Sequence, residues 1–131
     1  MSVFTKIVSG ELPAYKVAED KRHLAFLDIN PNAKGHTLCI PKKQTDKLFD
    51  LSKEEYIALM HFSHKVALGL EKAVSCKRIG MTVIGLEVPH VHVHLIPLQS
   101  MADATFGKKE HVSSEEMQAL AKNIAAQIAA E

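Results

Sequence analysis

Apolar and polar positions along the chain change period twice. Val3, Phe4, Ile7 and Val8 fall on one helical face, and Ser9-Gly10 closes that short element. Pro13 prevents any regular continuation, and Tyr15 to Ala18 reads as a strand that turns at Glu19-Asp20-Lys21. Leu24 to Ile29 predicts a second strand, stopped by the turn chemistry of Asn30-Pro31-Asn32. Lys34-Gly35 leads into a third, His36 to Ile40, which Pro41 closes.

The period then becomes helical. Ser52 with Glu55 three residues on forms a capping box, and Leu51, Tyr56, Leu59, Met60, Ser63, Val66, Ala67 and Leu70 supply a stripe. That helix is predicted over Lys53 to Ala73. Gly80 opens a fourth strand, Met81 to Ile84, which Gly85 ends. From Val88 to Pro97 the period returns to two, with histidines alternating with apolar residues in a fifth strand. Met101 to Glu110 is loop-like around Gly107-Lys108-Lys109. Ser113 or Ser114 then caps a C-terminal helix with Met117, Leu120, Ile124 and Ile128 on one face. Short connections between consecutive strands favour antiparallel pairing. The expected class is α+β: a mostly antiparallel five-stranded sheet, one long central helix, a short N-terminal helix and a C-terminal helix.

Composition narrows the function. The 131 residues, 47% hydrophobic, suit one globular domain with a substantial core. No apolar run approaches the ~20 residues that span a membrane, so no membrane partner is expected. No signal peptide is visible at the N-terminus. A net charge of +1 from well-mixed acids and bases gives no footprint for nucleic acid. Cys39 and Cys76 form no metal- or redox-type pair, and Cys39 reads as a small buried hydrophobe. A reducing, cytoplasmic compartment is expected.

The candidate chemistry lies in the fifth strand. In extended chain His90, His92 and His94 share one face, about 6.5 Å apart, with Val91, Val93 and Leu95 on the other. Alternating imidazoles on a strand can hold a metal. They can equally form a metal-free site, in which one ring attacks a phosphoryl or acyl centre and its neighbours donate hydrogen bonds. A neutral ring attacks through one nitrogen only if the other keeps the proton, and a backbone carbonyl would fix that tautomer. His23, His61, His64 and His111 need no functional reading.

His90-Val91-His92-Val93-His94-Leu95 resembles the signature of the histidine triad (HIT) family, in which three histidines alternate with apolar residues. Phe4 to Val8 with Glu11 to Ala14, Leu24 to Ile29, and Gly35 to Lys43 are similar to its other motifs, in order, over about Val3 to Leu98. The resemblance implies a domain at 1–99; the loop and helix at 100–131 lie outside it, and the single apolar stripe of that helix is expected to pack on the domain or on a dimer partner. It implies hydrolysis or transfer of a purine nucleoside monophosphate ester or phosphoramidate, without a cofactor, by a homodimer of the Hint-like branch. A nucleotide-binding regulator with little turnover is the alternative. Carried over by position, His92 is the nucleophile and His94 contacts the phosphate and the leaving atom. His90 and His36 support the nucleophile from behind, and Asp28 holds the ribose. Val3, Phe4, Ile7, Ile29 and Leu38 form the base pocket, Glu87 and Val88 are further nucleotide-binding positions, and Gly85 brings backbone close to the phosphate.

Two departures matter. Some bacterial members hold a structural zinc through two N-terminal cysteines, a histidine after the Pro-Lys-Lys run and the first triad histidine. Ser2, Thr5 and Gln44 stand in three of those places and only His90 remains, so no zinc is expected. The family's usual asparagine, and the Gly-Gln pair that follows it, are also missing from Arg78 to Val88, ahead of the triad. Glu87 stands where many relatives have serine, which suggests a preference for an amine leaving group over an anionic phosphate.

Overall fold

A computed structural model describes residues 2–131. Its elements run α1 (Val3–Val8), β1 (Lys16–Glu19), β2 (His23–Leu27), β3 (Thr37–Pro41), α2 (Lys53–Ala73), β4 (Arg78–Thr82), β5 (Val93–Leu98) and α3 (Ser114–Ala129). Short 3-10 turns occupy Leu48–Asp50 and Met101–Ala104, the second inside the segment read as loop. The strands form one antiparallel sheet in the order β1-β2-β3-β5-β4, which establishes the α+β class.

Strand alternation divides the core in two. Ala25, Leu27, Cys39, Val93 and Leu95 face α2 and α3, meeting Leu59, Val66, Leu70, Met117 and Ile124. Leu24, Phe26, Leu38 and Ile40 face the other way and pack under α1 through Phe4 and Ile7. Both long helices begin with the expected capping boxes, Ser52 with Glu55 and Ser113 with Glu116. The helices meet where α2 carries no side chain: a Cβ on Gly69 would stand 2.9 Å from the Ile128 backbone nitrogen. The apolar face of α3 therefore lies against α2 and β1 of its own chain. No helix among the described residues is long and apolar enough to cross a membrane.

β1 and β3 each lie one residue further along than expected, and three larger strand shifts have a physical reason. β2 ends at Leu27, because the Asp28 carboxylate accepts the Asn30 N–H at 2.9 Å and turns the chain, leaving Ile29 exposed. β4 begins at Arg78 with Gly80 inside it, because Gly80 lies opposite Ile96 and under the Leu98 side chain, where a Cβ would collide. β5 begins only at Val93 and runs through Pro97. That proline lies beyond the last β3–β5 pair, Thr37 with Leu95, and is paired on one side only, with Ile79 of β4.

Candidate functional site

Between α1, the ends of β2 and β3, and β5 lies a cavity of about 520 Å³. Val3, Phe4, Ile7, Leu38 and Val88 form its apolar part, with Leu12, Pro13, Ala14 and Phe26. Asp28, Ile29, Glu87, His92 and His94 stand on the same wall, with Asn30, Phe106 and Lys109. A larger groove of about 750 Å³ lies between the end of α2 and α3, but no imidazole lines it. Of the remaining expected residues, His36 and His90 are buried behind the wall, and Gly85 belongs to a neighbouring groove. Gly85 has φ 78° with open space around its Cα, so its backbone conformation, rather than a close approach, calls for glycine.

All three triad histidines lie on the α1 side of the sheet, opposite Val91, Val93 and Leu95, but only His92 and His94 line the cavity. The His90 N–H donates to the Val88 carbonyl at 2.8 Å, and this tight turn aims the His90 ring away from the cavity before the strand starts. His92 and His94 remain paired at the cavity, ring centroids 4.9 Å apart. The Phe4 ring stands edge-on to His92 at 5.0 Å, so α1 packs directly on the reactive pair.

Hydrogen-bond partners assign each ring a tautomer. His92 Nδ1–H donates to the His90 carbonyl at 2.7 Å, which leaves the Nε2 lone pair without an internal partner. The Asn32 N–H donates to His36 Nδ1 at 3.0 Å, so the His36 proton sits on Nε2 and goes to His94 Nδ1 at 2.9 Å. His94 therefore keeps its proton on Nε2. One ring ends in an acceptor lone pair and its neighbour in a donor. His36 thus orients His94 rather than His92. His90 Nε2–H donates to the Pro41 carbonyl at 2.7 Å, and the Ser2 hydroxyl donates to His90 Nδ1 at 2.8 Å. His90 acts on His92 through its own carbonyl.

Burial keeps this relay neutral. It lowers His36 to about 3 and His94 to about 4, with the charges of neighbouring groups adding to the effect. Burial also lowers His90. The Asp28 carboxyl is raised by burial, with Oδ2 3.6 Å from His36 Nε2. Depressed histidine pKa values mean that the unfolded chain binds more protons on acidification, so stability present at neutral pH is lost as pH falls below about 6.5. Urea unfolding between about pH 7 and about pH 5 should show a loss approaching 1.4 kcal/mol per unit for each such histidine, about the cost of one pKa unit. Unchanged stability across that range would contradict the neutral relay.

Among the described residues, two positions bring ligand-type side chains together, and neither suits a metal. Ser2, Thr5, Gln44 and His90 do converge, but as a hydrogen-bonded set. Gln44 Oε1 accepts the Ser2 N–H at 3.0 Å and the Thr5 hydroxyl at 2.9 Å, and Gln44 Nε2–H donates to the Pro89 carbonyl at 3.3 Å. Hydroxyls and an amide are poor zinc donors, and hydrogen bonds already occupy these. Asp28, His36 and His94 also place ligand-type atoms within 4.8 Å of one another. A ligating imidazole normally donates from its other nitrogen, whereas His36 Nδ1 accepts from Asn32.

Sequence patterns assign no site role to Asn32, Phe106 or Lys109, and place Ser2 only where a zinc ligand is missing. Asn32 read as a turn former; nothing in its neighbours signals that it sets a histidine tautomer. Cys39 is buried, its thiol pushed up to about 12 by burial, and is inert.

The chain matches the HIT domain family over residues 9–101. An adenosine 5′-monophosphoramidase of Schizosaccharomyces pombe is 36% identical over 130 residues, covering 96% of this chain and 97% of that protein. Among solved structures, a Hit-like protein from Bartonella henselae, crystallised with an unknown ligand, superposes with TM-score 0.84 at 30% identity, covering 96% and 95% of the two chains. A zinc-bound histidine triad family protein from Mycobacterium smegmatis gives TM-score 0.81 at 26% identity, covering 98% and 93%.

Proposed function

The chain belongs to the histidine triad (HIT) family, and on that premise we propose that it is a nucleotide hydrolase or transferase working through a nucleotidyl-histidine intermediate at His92. The observation that carries this reading is the pairing of the free His92 Nε2 lone pair with the His94 Nε2–H at one end of an apolar cavity. The yeast relative named an adenosine 5′-monophosphoramidase supports a nucleoside phosphoramidate or ester as substrate.

The tautomers dictate the chemistry. The phosphoryl group is anionic, so a neutral ring nitrogen is a better attacking group than an anion. His92 Nε2 forms a bond to phosphorus while the bond to the leaving group breaks. Positive charge develops on the His92 ring, and the His90 carbonyl accepting Nδ1–H stabilises it. His94 Nε2–H donates to the bridging atom, so the departing electron pair develops against a fixed donor. An amine leaving group takes up a solvent proton as it departs. Water then displaces His92 from phosphorus and gives up one proton to solvent, the electron pair of the broken P–N bond returns to His92 Nε2, and the nucleoside monophosphate is released. Asp28 holds the ribose hydroxyls, and the apolar wall from Val3, Phe4, Ile7, Ile29, Leu38 and Val88 takes a purine base. Glu87 is exposed at the wall with no ion-pair partner among the described residues, which leaves its carboxylate available to an amine.

A homodimer goes with this reading. Phe49, Ile57, Met81, Ile84 and Leu86 are exposed, and a groove with Met81, Ile84 and Tyr56 on its walls runs up to His92. Sedimentation equilibrium should return twice the chain mass; a monomer would remove this part. A cytoplasmic location also fits, and cell fractionation checks it.

The direct test is steady-state hydrolysis of adenosine 5′-phosphoramidate by the purified protein. Release of adenosine monophosphate over many turnovers is expected. Tight nucleotide binding without turnover would make the protein a nucleotide-binding regulator instead.

A further inference from the structure

The loop after β5 lies beyond the family match, yet it contributes the one lysine or arginine among the residues lining the cavity. Phe106 adopts φ 64°, a left-handed conformation that side-chain-bearing residues rarely take. It sets the ring edge-on against His94 at 4.9 Å and 6.0 Å from His36. The Lys109 ammonium lies 5.1 Å from the centre of that ring and donates to Asn32 Oδ1 at 2.8 Å. Asn32 is fully buried, and its side-chain N–H donates to the Asp103 carbonyl at 2.9 Å. One buried residue therefore ties the lysine, its loop and the His36–His94 relay together.

The loop is held in place. The Asp103 carboxylate accepts the Gln99 and Ser100 N–H groups at 2.9 and 3.2 Å, and the Glu110 N–H donates to the Pro31 carbonyl at 2.9 Å. The two adjacent lysines differ in what balances them. Lys108 lies 3.6 Å from both Asp103 and Glu110. Lys109 has only a neutral amide oxygen and an aromatic ring, with no ion-pair partner among the described residues. It lines the cavity together with His94, His92 and Asp28, at the polar end. The histidine relay there is neutral, so a charged ligand finds its fixed countercharge in Lys109.

We infer, building on the nucleotide-hydrolase reading, that Lys109 is a specificity-determining residue that binds a negatively charged group, such as a phosphate, on the departing side of the substrate next to His94. An ammonium held by a neutral partner keeps most of its charge for a ligand, and a charge-assisted hydrogen bond to phosphate is about twice as strong as a neutral one.

Calorimetry of adenosine monophosphate and adenosine diphosphate tests this on the wild type, Lys109→Gln and Lys109→Arg. The diphosphate should bind the wild type more tightly than the monophosphate. In Lys109→Gln its dissociation constant should rise about tenfold while that of the monophosphate moves by less than about threefold, and Lys109→Arg should keep most of the diphosphate affinity. Added salt should erode the diphosphate advantage in the wild type and not in Lys109→Gln. An unchanged ratio of the two affinities in Lys109→Gln would overturn the Lys109 assignment alone. Binding of neither nucleotide to the wild type would overturn the nucleotide reading beneath it.

Discussion

Replacing His92 by alanine is expected to lower phosphoramidate turnover by on the order of 10⁴-fold or more, the scale on which covalent catalysts fail when the nucleophile is removed. No other group stands ready to attack. His94 presents a proton rather than a lone pair, and the rings of His36 and His90 are committed to internal partners. The binding wall stays intact, because Asp28, Val3, Ile7 and Leu38 do not depend on the His92 ring. Adenosine monophosphate affinity in His92→Ala should therefore change little while turnover disappears. Steady-state kinetics beside calorimetry separates the two. Turnover within tenfold of wild type would show that another group attacks phosphorus.

A different pattern is expected of His94→Ala. Removing one positioned donor from a developing charge typically costs about 10²–10³-fold. Here the loss should depend on the leaving group. An alkylamine, whose nitrogen carries the most negative character as the bond breaks, should show the full effect. A leaving group stable as an anion should show much less. Measuring kcat/KM across a series of leaving groups gives the answer directly. A uniform loss would mean that His94 serves the phosphoryl oxygens or the packing of Phe106 instead of the departing atom.

The legibility of the fold varied with how local its determinants are. α2 begins at Lys53 and ends at Ala73 as expected, because the Ser52–Glu55 capping box and the apolar stripe are both within the segment. β4 is displaced toward Arg78 because its register depends on Leu98, a residue in another strand. The apolar lining from Val3 to Val88 was legible through the family motifs, and the His92 tautomer through the need for a proton acceptor. What escaped was relational. That His36 serves His94, and not His92, depends on the Asn32 N–H, a backbone group with no sequence signature. Lys108 and Lys109 look alike in the sequence. Only the fold places carboxylates beside the first and sets the second at the cavity lined by the histidine pair.

His90 shows the same lesson within the triad. Alternation suggests three equivalent rings on one face. A turn closed by its own N–H places its ring against Ser2 and Pro41, and its carbonyl becomes the contribution to chemistry. The hydrogen-bonded set of Ser2, Thr5, Gln44 and His90 also ties the start of α1, and with it Phe4, to the reactive pair.

The central claim is that transfer proceeds in two displacements at phosphorus with His92 between them. The stereochemical course tests it most directly. An adenosine phosphoramidate made chiral at phosphorus with sulfur and oxygen isotopes is hydrolysed, and the configuration of the product is read. Each in-line displacement inverts phosphorus, so the account predicts net retention. Net inversion would show that water attacks the substrate directly, with no covalent histidine intermediate.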